Sequence, residues 1–234
     1  MRIPRWYAAA LPAYLAALLA LDTQASLHEQ LALGVLTFVV LGAALRPLPA
    51  LARAQAVGVV LFATLGEVAG SLVWGVYHYR LHNLPLFIPP AHGLVYLSGV
   101  ALSRTVPRRA VVWAAALGAS AWGIAGLTFL PRLDVAGAFG VLLLLVFLWR
   151  SRWRATYAGV FLVVGALELY GTSIGTWRWA TDLPGLGVPD GNPPSGVASG
   201  YVWFDVMALL VAPSLVALAR RASADVRATA GEYS

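Results

Sequence analysis

The chain has 234 residues, 60% of them hydrophobic and only 11% charged, with a formal net charge of +6 and no cysteine. Without cysteine neither a disulfide framework nor a thiolate metal site can form. The positive balance, which could signal a nucleic-acid partner, is excluded from that role by its placement, because the apolar residues cluster in long runs and the basic ones fall between them.

The first run, Trp6–Leu21, has no small-residue cleavage site before Asp22 and is followed by seven more, so it reads as a span and not as a signal peptide. Leu31–Leu45 and Ala56–Tyr77 come next. A bilayer core about 30 Å thick needs about 20 helical residues, and about 16 suffice with interfacial flanks. Pro85–Leu102 is interrupted in its first half by Pro89, Pro90 and His92, which predicts a span broken at the Pro-Pro pair; such irregular backbone persists in a bilayer only where protein or water surrounds it. Ala110–Leu130, Val135–Trp149, Tyr157–Ile174 and Val197–Ala219 complete the set, and the polar residues 222–234 read as a disordered cytoplasmic tail. The expected fold class is all-α integral membrane, with eight transmembrane helices.

All 16 basic residues are arginine. Counted from a cytoplasmic N-terminus, one set of loops carries thirteen of them (2, 5, 46, 53, 104, 108, 109, 150, 152, 154, 220, 221 and 227) and the opposite set only Arg80, Arg132 and Arg178. That bias predicts a multi-pass protein of a bacterial-type cytoplasmic (inner) membrane with both termini in the cytoplasm.

Residues 54–105 can be laid over 155–208. Glu67-Val-Ala-Gly70-Ser71 matches Glu168-Leu-Tyr-Gly171-Thr172, aromatics follow each, and each copy reaches a Pro pair, Pro89-Pro90 or Pro193-Pro194, before another span. Four spans per half is an even number, so the reading is two parallel four-helix repeats, 1–105 and 106–221, with a site at their interface.

Three carboxylates lie within spans: Glu67, Glu168 and Asp205. Intramembrane acids cost several kcal/mol and face the bundle interior, where they serve function. Glu67 lies about ten residues, or roughly 15 Å, inside its helix end at 1.5 Å per residue, and all three acids are expected to meet at one depth. Glu67, Gly70, Ser71, Trp74 and His78 fall at i, i+3, i+4, i+7 and i+11 on one helical face, which Glu168, Gly171, Thr172, Gly175 and Trp179 repeat. The spans hold no lysine and no deep arginine to neutralise these acids, and a buried carboxyl without a cationic partner is held neutral, as acid–base chemistry on an apolar substrate requires. His78 and His82 are spaced i, i+4, but the second half supplies no matching histidine, so no metal and no cofactor are expected. Trp74, Tyr77, His78, Tyr79, His92, Trp177, Trp179 and Tyr201 are the candidate substrate-binding residues, forming either an interfacial aromatic belt or a π-lined pocket that stabilises carbocations. No P-loop, dinucleotide fingerprint or nucleophile elbow occurs.

Glu67-x-x-Gly70, Trp74-Gly75-x-Tyr77-x-Tyr79 and Leu84-Pro85-Leu86-Phe87-Ile88-Pro89, in succession, resemble the carotenoid-biosynthesis membrane family that includes bacterioruberin-type 1,2-hydratases. The match covers about 25 residues, with Trp74 where that family has Phe. A weaker resemblance, in size and in one early Glu and one late Asp, is to small membrane-bound terpene cyclases. Both imply an intramembrane acid that protonates an isoprenoid double bond or epoxide, after which water adds or the cation cyclises. The expected function is acid-initiated hydration or cyclisation of a carotenoid or terpenoid, with an apolar isoprenoid or lipid as substrate, Glu67 as proton donor, and Glu168 and Asp205 as base or cation stabiliser. The alternative is a small proton-coupled transporter or lipid-binding membrane protein.

Overall fold

The structure, a computed structural model, describes residues 3–231, with side chains described up to Ala222. It is all-helical apart from four very short strands: α1 (Tyr7–Asp22), α2 (Leu27–Leu45), α3 (Ala50–Glu67) continued by a π-helical segment (Val68–Trp74), β1 (Tyr77–Tyr79), α4 (Ile88–Thr105), α5 (Arg108–Thr128), α6 (Val135–Arg150), α7 (Arg154–Ser173), β2 (Trp177–Trp179), β3 (Asp182–Leu183), β4 (Val188–Pro189) and α8 (Val197–Gly231). Five helices are long and apolar enough to cross a membrane, namely α2, α3 with its π-helical extension, α5, α7 and α8. The apolar helices α1 and α6 are shorter.

Helix α4 differs from the broken span expected of Pro85–Leu102. It runs unbroken from Ile88 because Pro89 and Pro90 occupy its first turn, where backbone N–H groups have no intrahelical acceptor and a proline sacrifices nothing. Helix α8 continues to Gly231 through ten of the residues expected to form a disordered tail. The stretch from Ala222 to Ala230 contains no proline or glycine, and four of its nine residues are alanine, which favours helix. Residues 232–234 lie outside the described residues.

Helix α4 is the centre of the bundle and is buried along most of its length, from Ile88 to Ala101. It packs chiefly against α7, while α3 packs chiefly against α8. Both crossings use glycine. A Cβ on Gly99 of α4 would lie 2.5 Å from the backbone N of Val160, and a Cβ on Gly159 of α7 would fall on the Gly99 carbonyl oxygen. A Cβ on Gly58 of α3 would lie 3.1 Å from that of Ala208 on α8. Small residues at crossings let helices approach closely where no hydrophobic force between them is available.

Strands β1 and β2, which follow the two Glu-x-x-Gly segments, pair with each other antiparallel in the register Tyr77↔Trp179, His78↔Arg178, Tyr79↔Trp177. The small sheet covers one end of the bundle and is fastened from several sides. Arg80 donates to the carbonyls of Asp22 and Ala25. Asp22 Oδ1 accepts from Gln30 at 2.7 Å, and Gln30 Oε1 accepts from Asn83 at 2.7 Å. Arg132 donates to the carbonyls of Trp179 and Ala180 at 2.9 and 3.1 Å, and Asn192 Oδ1 accepts from Trp179 N at 2.9 Å.

Asp134, singled out by no sequence pattern above, organises the loop before α8. It accepts backbone N–H bonds from Gly137 (2.9 Å), Gly191 (3.1 Å) and Ser195 (2.7 Å), capping α6 and anchoring the approach to α8 together. Asp134→Ala would leave these donors buried without an acceptor, at about 1–3 kcal/mol each. A marked fall in thermal stability in detergent is expected, with Asp134→Asn intermediate.

Asp190 lies in the same loop, 1% exposed, with Oδ2 unbonded. Burial and the neighbouring Asp134 carboxylate push its carboxyl up to about 7 from 3.8, against the pull of the Gly191 N–H and Arg132. The folded state therefore holds this proton more tightly than the unfolded chain. The stability it contributes is complete below about pH 4 and is lost as pH rises through about 7. Melting temperatures at pH 5 and pH 8 should differ by less in Asp190→Asn than in the parent chain.

Candidate active site

The Glu-x-x-Gly segments owe their spacing to what folds back over them. Beyond Glu67 the chain makes π-helical turns, ends them at Gly75 in the left-handed conformation (φ 77°), and returns as β1. Gly70 leaves room for the Tyr77 ring, which a Cβ there would meet at 3.0 Å. Tyr77 and Tyr79, two apart on one strand and so on one face, both donate to Glu67 Oε2, at 2.7 and 2.6 Å. The second segment does the same with indoles. The Trp177 ring lies where a Cβ on Gly171 would be, and Trp177 Nε1 donates to Glu168 Oε2 at 2.9 Å, with Trp179 Nε1 farther off at 3.4 Å. Across the sheet, Tyr77 and Trp179 pack with centroids 4.5 Å apart and planes tilted by 41°, and Tyr79 meets Trp177 edge-on at 6.1 Å.

Below this aromatic roof lies a cavity of about 200 Å³ between α1, α3, α4, α7 and α8. Glu67, Glu168, Tyr77, Tyr79, His92, Trp177, Trp179 and Tyr201 all line it, with apolar walls from residues such as Leu15, Val95, Val164 and Phe204. His92, one turn into α4, places Nε2 2.9 Å from Glu67 Oε1, so both oxygens of Glu67 are engaged. This supplies the cation-capable partner that the absence of deep arginine and lysine had argued against. The ring of Tyr201 packs 5.1 Å from that of His92. The Tyr201 hydroxyl and Glu168 Oε1 face the cavity without a hydrogen bond to any described residue.

Three expected site residues are placed elsewhere. Trp74 is 48% exposed and its indole donates to the Pro184 carbonyl at 2.8 Å. His78 points away from the cavity, being the middle residue of β1 between two inward tyrosines, and is exposed. The single helical face drawn through Glu67, Gly70, Ser71, Trp74 and His78 does not exist, because the π-helical segment turns the later residues off it and the chain then becomes a strand.

Asp205 is the third. It is buried, 1% exposed, but does not line the cavity. It sits one turn beyond Tyr201 on α8, within electrostatic reach of Tyr96 and Tyr157, with Oδ2 unbonded. On α8 the cavity is lined by Val197, Gly200, Tyr201 and Phe204, and Asp205, the next residue, lies beside Tyr96 of α4 and Tyr157 of α7 instead. Two acids converge, not three. Among the described residues no group of three or more His, Asp or Glu side chains is arranged to hold a metal ion.

No family model, curated protein or solved structure matches the chain. The reading of the site therefore rests on its geometry.

Proposed function

We propose that the chain is an intramembrane isoprenoid-modifying enzyme that hydrates or cyclises a carotenoid or terpenoid by acid initiation. The observation that carries the reading is one apolar, aromatic-roofed cavity holding two carboxylates whose surroundings differ in kind. Glu67 accepts from two phenols and an imidazole, the donor set of a stabilised anion. Glu168 accepts only from indole N–H groups and presents a free Oε1 to the cavity. Such divergent environments separate an acid from a base.

This favours Glu168, in place of Glu67, as the proton donor. Its proton passes to an alkene carbon, and the π-electrons of the double bond form the new C–H bond and leave a tertiary cation. The faces of Trp177, Trp179 and Tyr77 stabilise that cation. In hydration, water adds to it and gives up a proton to the Glu67–His92 pair. In cyclisation, a second double bond closes the ring and the pair takes a proton from the adjacent carbon. The Tyr201 hydroxyl, within electrostatic reach of both acids, is placed to return the proton to Glu168.

The same reading takes the eight helices as eight spans in two parallel repeats, with both termini cytoplasmic in a bacterial-type inner membrane. It is supported by the thirteen-to-three arginine distribution, by the matching arrangement of each Glu-x-x-Gly with its strand's aromatics, and by the exchange of partners that pairs α3 with α8 and α4 with α7. The resemblance to the carotenoid 1,2-hydratase family stands on the Glu67-to-Pro89 segment alone.

The test is mass spectrometry of pigment and lipid extracts from cells that make linear carotenoids and polyprenyl compounds and express this chain. A product heavier by one water indicates hydration, and an isomer of unchanged mass with altered retention indicates cyclisation. Unchanged extracts would overturn the proposal. One observation favours the runner-up, a small proton-coupled transporter: Asp205 is a buried, unbonded carboxylate beyond the cavity, where a relay would need a proton site. Gradient-dependent uptake without a change in mass would select that reading.

A further inference from the structure

We infer that the cavity is reached sideways from the bilayer, through a seam between the last turn of α3 and the first turns of α8 that Phe204 plugs, and that its ligand is a chain-like apolar molecule of which only one end enters. The chain-end class of ligand rests on the function proposed above; the seam does not.

The sheet end offers no easy route. Arg80, Arg132 and Asn192 tie that end down through backbone bonds, and Tyr79 and Trp177 are buried beneath it. The seam is built differently. Helices α3 and α8 cross closely at Gly58 and Ala208, where an added Cβ would lie 3.3 Å from Ala208 Cα. Nearer the sheet, at Gly66, the tip of the Phe204 ring stands against the α3 backbone, 2.6 Å from where a Cβ on Gly66 would be. At Gly200, one turn nearer the sheet and on the cavity wall, an added Cβ would meet nothing within 4 Å. A side chain and not backbone closes the wall there, the Phe204 ring meeting those of His92 and Tyr201 edge-on at 6.0 and 5.8 Å. Leu65 (60% exposed) beside Gly66 and Met207 (40%) one turn below Phe204 are apolar and outward-facing.

The volume specifies what passes. A cavity of about 200 Å³ is smaller than the ~300–1,000 Å³ that encloses a drug-sized ligand, so it accommodates a chain end while the rest of the molecule stays in the seam and the surrounding lipid.

The chain has no cysteine, so single-cysteine variants report without background. Gly200→Cys is chosen because the space around Gly200 is open. Reconstituted in phosphatidylcholine vesicles, it is treated with a long-chain alkyl maleimide dissolved in the bilayer, or with a charged trimethylammonium methanethiosulfonate added in water. Rates are scaled to Val73→Cys on the outward apolar surface and His78→Cys on the exposed strand face respectively. The alkyl reagent should have the higher scaled rate, and adding Phe204→Ala should raise it about tenfold, the equivalent of one 1.36 kcal/mol step in barrier height. Phe204→Trp should lower it. A higher scaled rate for the charged reagent would overturn the inference, as would labelling only after unfolding in dodecyl sulfate, or rates indifferent to residue 204. These reagents sense the opening whatever chemistry the cavity performs. Unchanged lipid extracts would refute the enzymatic reading and leave the seam standing, and a negative labelling result would do the reverse.

Discussion

Glu168→Gln should lower product formation by about 10²–10⁴-fold, the contribution of a positioned general acid, while leaving the protein folded. Glutamine keeps a carbonyl oxygen to accept from Trp177 Nε1, so the roof is retained and only the transferable proton goes. Glu67→Gln should be comparably inactive for a different reason. Its carbonyl can still accept from Tyr77 and Tyr79, and its amide can donate to a neutral His92, but the anion that receives the departing proton is lost. His92→Gln, which removes the base's partner and not the base, should retain a fraction of activity and alter the pH profile of turnover. Asp205→Asn separates the enzymatic from the transport reading. It should leave product formation within a few-fold of the parent, because Asp205 does not touch the cavity, and it should abolish gradient-dependent uptake if the chain is a carrier. Product mass spectrometry after expression of each variant at matched protein levels is the measurement, and full activity in Glu168→Gln would remove the proposed mechanism.

Gly159→Ala should be the most damaging methyl group that can be added to the chain. Its Cβ would overlap the Gly99 carbonyl oxygen, and backbone cannot swing aside as a side-chain end can. Relief requires α4 and α7 to separate, with overpacking of this kind costing about 1–3 kcal/mol and at times more. Gly99→Ala should behave alike, since its Cβ would lie 2.5 Å from Val160 N. Because α4 carries His92 and α7 carries Glu168, the separation also pulls the site apart, and activity should fall with stability. Gly42→Ala is the control: nothing lies within 4 Å of an added Cβ there, and replacing glycine in a helix is worth roughly 0.5–1 kcal/mol in favour of alanine. Thermal unfolding in detergent should show a large loss for the first two variants and none for the third. Equal melting temperatures in all three would contradict the close crossing.

Much of this architecture was open to reading in one dimension. Apolar runs mark the helices because the composition of a helix crossing a bilayer is dictated by its surroundings, residue by residue. Glu67 and Glu168 stand out for the same reason, since a carboxylate in such a run must be turned inward. The Glu-x-x-Gly repetition was visible too, but its meaning was not: glycine three residues on looks like a packing face until the ring of Tyr77 or Trp177 is seen folding over it. Arg80 and Arg132, exceptions to the charge asymmetry, are explained by the carbonyls they hold beside the sheet.

Hydropathy and helical spacing thus determined that the chain is a helical bundle with inward acids and aromatic segments between its helices. Which acids meet was decided only in three dimensions. The π-helical turns after Glu67 reverse the chain before the expected helix end, the β1–β2 pairing joins segments about a hundred residues apart, and together they bring Glu67, His92 and Glu168 into one cavity while leaving Asp205, Trp74 and His78 outside it. A periodicity argument assumes that the helix continues, and a local deviation of one residue per turn moves every later side chain to another face. That register is set by what packs against the helix and is not written in the helix's own sequence.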